Sequence, residues 1–116
     1  MEIIEVDEIN RRCRCQIKFE SSSLSVQEAC IRGFQSLAYA FDVLHMRKVC
    51  VEVCADEITQ HEVYRKLGFC EEGRLTRHVI RADKAWDLIL LAHFRESWEK
   101  KRKSLEEALL SRGVVS

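Results

Sequence analysis

Apolar and charged residues alternate over the first twenty residues of the chain, a period that is typical of strands with one buried face. In the first strand Ile4 and Val6 alternate with charged neighbours, and residues 10–12 form the predicted turn. In the second strand the apolar positions are Cys13, Cys15, Ile17 and Phe19. The pattern predicts a β-hairpin whose apolar side chains face the core.

A run of serines at 21–23 ends the hairpin, and a helical pattern follows it. Ser25 and Glu28 have the spacing of a capping box, in which the two side chains satisfy the first free amides of a helix. Apolar residues then recur at helical spacing as far as Leu44. The pattern predicts a helix with one buried stripe, formed by Val26, Cys30, Gly33, Leu37, Ala40 and Leu44.

A further strand and helix follow, and then a second hairpin. Residues 48–54 form a β-branched run that is typical of a buried strand. Asp56 is the predicted N-cap of a second helix, which continues to about Leu67 and ends at Gly68 in the left-handed conformation. The second hairpin is predicted to consist of strands at 69–80 and 86–94.

The chain ends in a charged helical pattern at 95–112, with apolar positions at Trp98, Leu105 and Leu109. The predicted order ββαβαββα gives an α/β (α+β) domain around a mixed sheet. A length of 116 residues fits one domain. Within it, residues 1–94 form the sheet and two helices, and the last helix packs on its own sheet or is exchanged with a second copy.

Composition narrows the classes of function. The chain carries 19 Lys+Arg and 19 Asp+Glu, so it has no net positive charge that would attract a polyanion. The basic run 100–103 lies among glutamates, as is typical of a solvated helix face. Nucleic-acid binding is therefore disfavoured. No stretch reaches the roughly 18 apolar residues that span a bilayer. The acidic start of the chain lacks the apolar segment of a secretory signal, so a cytoplasmic location is expected.

The six cysteines do not form a recognisable disulfide or metal framework. Disulfides are rare outside oxidising compartments, and the spacings C-x-C and C-x₃-C are not those of a zinc ribbon. The four histidines are scattered along the chain. We predict that the cysteines are mostly small buried apolar residues and that the chain holds no metal.

Four segments between Ser25 and about Trp98 have the motifs of a known family: 37–41, 48–53, Tyr64-Arg-Lys-Leu-Gly-Phe69 with 71–75 after it, and 87–92. In these segments the chain resembles the GNAT superfamily of acyl-CoA-dependent N-acyltransferases. It is most similar to the branch that acetylates ribosomal-protein N-termini, polyamines or amino-sugars on nucleotide carriers. The resemblance implies a mainly antiparallel mixed sheet flanked by helices, and transfer of an acetyl group from acetyl-CoA to a primary amine.

The resemblance also implies a catalytic acid. In the family an amine attacks the thioester carbonyl, and a tyrosine at the position of Tyr64 protonates the departing thiolate. A phenol suits this role because it stays protonated at neutral pH. The alternative is that Tyr64 only packs its ring under the sheet. The general base stays open between Glu20, Glu52 and a chain of water molecules.

The cofactor loop departs from the family. Ser22, Leu24 and Val26 stand where the family has glycines, whose amides and conformational freedom serve the CoA pyrophosphate. Serine amides and hydroxyls remain, so we predict weak binding of acetyl-CoA. The cofactor contacts that the resemblance implies are Ile17, Phe19, Ser22, Ser23, Ser25, Val26, Gln27 and Glu57.

Two further departures bear on function. Glu57 stands where the family often has asparagine, and the alternative to a cofactor contact is that it favours the first turn of the second helix. The chain also starts at what resembles the family's third strand, which leaves a sheet edge and part of one face without cover. We therefore predict a homodimer, with exchange of the last helix as the favoured contact. The alternative to an enzyme is a shortened, non-catalytic member used for binding or dimerisation.

Overall fold

The observed order of elements is ββαβαββα, as predicted. The computed structural model of the chain describes residues 2–16 and 25–115, and of 110–115 only the helical backbone. The first helix continues into a π-helical turn at Tyr39–Val43. The elements are β1 (Glu2–Asp7), β2 (Arg12–Gln16), α1 (Val26–Ala38), β3 (Lys48–Cys54), α2 (Ile58–Lys66), β4 (Cys70–Arg81), β5 (Lys84–Phe94) and α3 (Arg95–Val115).

The five strands form one sheet in the order β1-β2-β3-β5-β4. Only the β2–β3 pair is parallel, with α1 as its crossover, and the other three pairs are antiparallel. On β3, Val49, Val51 and Val53 are buried in one core cluster with residues of all three helices. The opposite face, which carries Arg14, Cys50 and Glu52, has no helix over it in the described residues, and we call it the open face.

The first helix forms as predicted. The Ser25 hydroxyl accepts a hydrogen bond from the Glu28 backbone N–H at 3.1 Å, which caps the helix. Of the predicted stripe, Cys30, Gly33, Leu37 and Ala40 are buried, and Val26 and Leu44 pack partly against the core. Phe34 and Phe41 are also buried and complete the helix face.

Two local predictions are wrong. Ile4 and Val6 do not share a buried face, because a β-bulge between Ile3 and Glu5 shifts the register of β1 against β2. Both side chains are nearly half exposed, and Ile3 packs against the core instead. Asp56 is not the cap of α2, since Glu57 is the residue that precedes the helix.

The turns that the sequence predicts agree better with the structure. Gly68 ends α2 with a φ of +102°, as predicted. The second hairpin turns at Ala82 and Asp83, which both have positive φ, so the strands extend further into the predicted turn region. The second hairpin has two register shifts. The one between Leu75 and Val79 surrounds Arg77, whose backbone N–H donates to Asp87 Oδ1 at 2.9 Å.

The helix α3 packs on its own chain. Trp98 is 1% exposed, with ring centroids 5.2 Å from Phe34 and 5.5 Å from Phe41. Leu105 and Leu109 pack partly against the same core, as their spacing predicted. The stripe of α3 therefore packs within a single chain in this structure, and exchange of the helix with a second copy stays a prediction.

The cysteines are free thiols, and Cys13, Cys15, Cys30 and Cys54 are buried as predicted. Cys50 is half-buried, but Cys70 is exposed, so the prediction is wrong for this position. Among the described residues, no helix has the length and apolar character needed to cross a bilayer.

Candidate functional site

The most distinctive feature of the sheet is a split between its two parallel strands. Among the described residues, β2 pairs with β3 from Arg12↔Lys48 to Arg14↔Cys50, and no pairing is seen from there to Gln16 on β2 or to Cys54 on β3. A cavity of about 320 Å³ lies at this split. Its lining is formed by Ile4, Arg14, Cys15, Gln16, Glu52, Cys54, Glu57, Val79, Arg81 and Leu88.

Two clusters of charge line the cavity. Arg14 bridges two carboxylates, with Nη2 3.1 Å from Glu5 Oε2 and Nη1 3.0 Å from Glu52 Oε1. Arg81 likewise bridges Asp56 at 3.2 Å and Glu57 at 3.3 Å. In each cluster two carboxylates share one guanidinium. Arg14, Glu52, Glu57 and Arg81 line the cavity, so the charges of its lining balance.

Glu57 has a structural role at the end of β3. Its Oε1 accepts the Cys54 backbone N–H at 3.1 Å, and its own N–H donates to the Cys54 carbonyl at 2.9 Å. These bonds close the turn from β3 into α2. Glu57 also lines the cavity, so a cofactor contact there stays a prediction.

Cys54, Asp56 and Glu57 bring ligand atoms within 4.8 Å of one another. Burial and a hydrogen bond with Asp56 raise the pKa of the Cys54 thiol, which favours the protonated form over a metal-binding thiolate. Both carboxylates already bind Arg81. The cluster is therefore explained as an ion pair that fastens the tip of the second hairpin to α2.

Tyr64, the predicted acid, is fully buried. Its ring packs edge-on against Phe69 at a centroid distance of 5.5 Å, within the core cluster. The side chain thus has the packing role that the sequence left as an alternative. Proton donation stays a prediction, and it requires a thioester that enters the sheet far enough to reach this ring.

The predicted cofactor contacts fall into two groups. Ser25, Val26 and Gln27 form the start of α1, where the helix dipole and the free amides favour an anion. Val26 is the first helical residue and packs partly against the core, so a left-handed backbone is not required of it. The predicted contacts Ile17, Phe19, Ser22 and Ser23 lie outside the described residues.

Sequence reasoning missed most of the cavity. Arg14 and Gln16 belong to the polar face of a predicted strand, but the pattern does not say which strand lies beside it. The sequence pattern puts Arg81 in a turn, and its partners Asp56 and Glu57 are more than twenty residues away along the chain. Of the residues that line the cavity, the sequence predicts a functional role for two, Glu52 as a candidate base and Glu57 as a cofactor contact.

No family model matches the chain. The spermidine N(1)-acetyltransferase of Escherichia coli strain K12 is 25% identical over 114 residues, which are 95% of this chain and 59% of that protein. The chain thus spans about three fifths of the length of the curated relatives it matches.

Two solved structures from Vibrio cholerae are similar. A spermidine N-acetyltransferase in complex with CoA and spermine has a TM-score of 0.72 at 21% identity, over 84% of this chain and 57% of that one. A dodecameric form of the spermidine N-acetyltransferase has a TM-score of 0.72 at 22% identity, over 83% and 56%. The chain therefore shares its fold with these spermidine N-acetyltransferases, and the GNAT-like fold that the resemblance implied is confirmed.

Proposed function

We propose that the chain transfers an acetyl group from acetyl-CoA to a primary amine, with polyamines as the first class of acceptor to test. The observation that most supports this is the split between β2 and β3, which opens into the cavity of the open face. A thioester arm inserted at the split would bond to backbone groups that β2 and β3 do not pair with each other beyond Arg14 and Cys50 in the described residues. Homology over 95% of the chain adds support for acetyl transfer.

The residues around the split fit the parts of acetyl-CoA. The start of α1 would receive the pyrophosphate, with Ser25 as the cap and Gln27 exposed beside it. Glu28 in the first turn adds a negative charge that opposes phosphate binding, in agreement with the weak affinity predicted from the sequence. The acetyl carbonyl would then face the cavity, where an amine can approach it.

The reaction requires little from the chain other than the positioning of the amine and the thioester. The amine nitrogen forms a bond to the carbonyl carbon, the carbon–sulfur bond breaks, and the thiolate takes a proton from the Tyr64 hydroxyl. The proton that the amine nitrogen loses returns to the phenolate, directly or through water. Holding the two reactants in this geometry is itself a large part of the rate enhancement.

Two measurements test the proposal. Calorimetry with the purified chain measures the affinity for acetyl-CoA, and we expect a dissociation constant well above the low micromolar range. A coupled assay of free thiol then follows transfer to spermidine, spermine and a panel of simple primary amines. Acetylated amine from any of them supports the proposal, and its absence across the panel contradicts it.

The second candidate is a non-catalytic module that binds or dimerises. The full burial of Tyr64 favours it, because a core tyrosine needs no catalytic explanation. This candidate predicts neither acetyl-CoA binding nor transfer, so the same measurements separate the two.

A further inference from the structure

Two of the buried cysteines, Cys13 and Cys15, are neighbours on one face of one strand. They lie two residues apart on β2, so both side chains project to the same side of the sheet, where they belong to the core cluster. Each residue is 2% exposed. Cys30 is equally buried, but it is a single thiol on α1. The paired thiols therefore have a chemistry open to them that Cys30 does not have.

The two thiols of the pair differ in acidity. A hydrogen bond from the Cys15 thiol to the Cys13 sulfur lowers the pKa of Cys13, against the opposing effect of burial. The same bond, together with burial, raises the pKa of Cys15. Cys13 is therefore the nucleophile of the pair, and Cys15 is the adjacent thiol that can attack it once it is oxidised.

The pair lies one side chain away from solvent, next to the edge strand β1. Cys13 is opposite Val6, which is 44% exposed. Cys15 is opposite Ile3, which lines a groove of about 560 Å³ together with Arg32, Gln35, Ser36 and Tyr39 of the first helix. A small neutral molecule in this groove would reach the thiols by displacing a single apolar side chain of β1.

The backbone around the pair has room to bend. Two residues that are two apart on an extended strand have Cα atoms about 6.6 Å apart. This is close to the upper limit of roughly 6.8 Å for a disulfide, so a bridge requires a shorter strand. In the described residues the pairing of β2 with β3 ends at Arg14, between the two cysteines, and on the other side the register of β1 shifts between Ile3 and Glu5. A bend at this point would therefore break few hydrogen bonds of the sheet.

We propose that Cys13 and Cys15 are a redox-sensitive pair, which hydrogen peroxide converts into a disulfide within β2 and which an external thiol reduces again. The Cys13 thiolate attacks one oxygen of the peroxide, the O–O bond breaks, and hydroxide leaves and takes up a proton to become water. The Cys15 sulfur then attacks the sulfenic acid of Cys13, the S–O bond breaks, and the second oxygen leaves as water with the Cys15 proton. Two thiols lose two electrons, and one peroxide becomes two water molecules.

The bridge would also change the split. Arg14 lies between the two cysteines and forms the ion pairs with Glu5 and Glu52. Shortening of β2 at this residue would move the guanidinium, so oxidation would alter the cavity beside the split. A bridge of this kind is strained and easily reduced, as is typical of regulatory disulfides. The inference does not depend on acetyl transfer.

The test is oxidation of the purified, fully reduced chain with hydrogen peroxide, followed by digestion with trypsin without reductant. Trypsin cleaves after Arg12, Arg14 and Lys18, so the bridge would join the peptides 13–14 and 15–18. We expect this joined product, with a mass about 2 Da below that of the two reduced peptides, and its loss on treatment with dithiothreitol. Cys15→Ser should stop at a sulfenic acid on Cys13, which dimedone traps. Cys30→Ser removes an equally buried but single thiol, and it should form the bridge as the wild type does.

The exposed thiol of Cys70 is the internal reference for the dose of peroxide. If Cys13 and Cys15 stay reduced while Cys70 is fully oxidised, or if either of them bridges to another cysteine, the proposal is overturned. Hydrogen exchange then compares the bridged and reduced chains. Exchange should become faster in β2 and stay unchanged in the β4–β5 hairpin, and equal exchange in β2 would overturn the coupling to the split. Failure of acetyl-CoA binding or transfer changes none of these outcomes.

Discussion

Tyr64 and Tyr39 are the two tyrosines of the chain, and they occupy opposite environments. Tyr64 is fully buried against Phe69, whereas Tyr39 is 49% exposed at the end of the first helix. If Tyr64 protonates the departing thiolate, Tyr64→Phe should lower acetyl transfer about 10²-fold or more, the scale for loss of a positioned acid. Tyr39→Phe is the control and should leave the rate unchanged.

The result discriminates between two roles of one side chain. The ring contacts of Tyr64 survive in phenylalanine, so a pure packing role predicts the same rate in both variants. An unchanged rate in Tyr64→Phe would assign the tyrosine to the core and leave protonation of the thiolate to water.

His93 is the second unusual residue, because it is a buried histidine surrounded by aromatic rings. It is 1% exposed, and neither ring nitrogen has a hydrogen-bond partner in the described part of the chain. Phe41, Phe69 and Trp98 surround it at centroid distances of 5.7, 5.5 and 6.1 Å. Burial, with a smaller effect of Lys101, lowers the pKa of His93 to about 4.

This shift predicts a dependence of stability on pH. The unfolded chain takes up the proton near pH 6.5 and the folded chain only near 4, so the free energy of unfolding decreases as pH falls through this window. The expected loss is about 3 kcal/mol. Denaturant unfolding at pH 7.5 and pH 4.5 should show a smaller difference for His93→Met than for the wild type. His78→Met, at an exposed histidine, should behave as the wild type, and equal pH dependence in all three would contradict the prediction.

At the scale of elements, the packing of α1 on α2 depends on Gly33. A Cβ added there would lie 2.4 Å from Leu67 Cδ1, and Leu67 is itself fully buried. The higher helix propensity of alanine opposes this clash by roughly 1 kcal/mol. We expect a net destabilisation of about 1–2 kcal/mol in Gly33→Ala, since overpacking of a rigid core costs more than the propensity gains.

Gly73→Ala is the matched control. Its added Cβ would meet only Leu90 Cδ1 at 3.7 Å, an ordinary contact. Chemical denaturation should therefore give a free energy of unfolding close to that of the wild type. A Gly33→Ala variant as stable as Gly73→Ala would show that α1 and α2 can move apart at little cost.

The sequence was most informative where a pattern is local to one element. The capping residue Ser25, the stripe of α1, the β-branched run of β3 and the positive φ of Gly68 all follow from neighbours within a few residues. The failures depend on partners elsewhere in the chain. The bulge between Ile3 and Glu5, which affects Ile4 and Val6, is a property of the β1–β2 register. Asp56 is not the cap of α2 and binds Arg81 instead.

The candidate site was beyond sequence reasoning for the same reason. The split lies between two neighbouring strands, β2 and β3, that pair over three residues in the part of the chain that the structure describes. Glu5 and Glu52 meet at Arg14 from strands that lie far apart in the chain. Period-two patterns predict which face a side chain occupies, but they carry no information about which strands are adjacent.

At the scale of the whole molecule, the helices lie on one face of a sheet whose open face has no helix over it in the described residues. The molecule measures 42 × 40 × 20 Å, a thickness of about one sheet and one helix layer. Leu75 and Phe94 are 40% and 49% exposed, and they lie on the open face through their pairing with Leu88 and Lys48. Exposed apolar residues on a flat face favour contact with another surface.

We predict that the chain forms a homodimer through the part of the open face that carries Leu75 and Phe94, neither of which lines the cavity. Pairing of two β1 edges is disfavoured, because Glu2, Glu5 and Asp7 would bring like charges together across the two strands. Exchange of α3 is not required either, since Trp98 is buried on its own chain.

Leu75→Glu and Phe94→Glu should therefore weaken the dimer, whereas Ile58→Glu, at a residue 75% exposed at the start of α2, should not. Sedimentation velocity over a concentration series measures all four proteins. A wild-type monomer at tens of micromolar refutes the dimer, and a dimer that is weakened equally by Ile58→Glu moves the contact to the helical face.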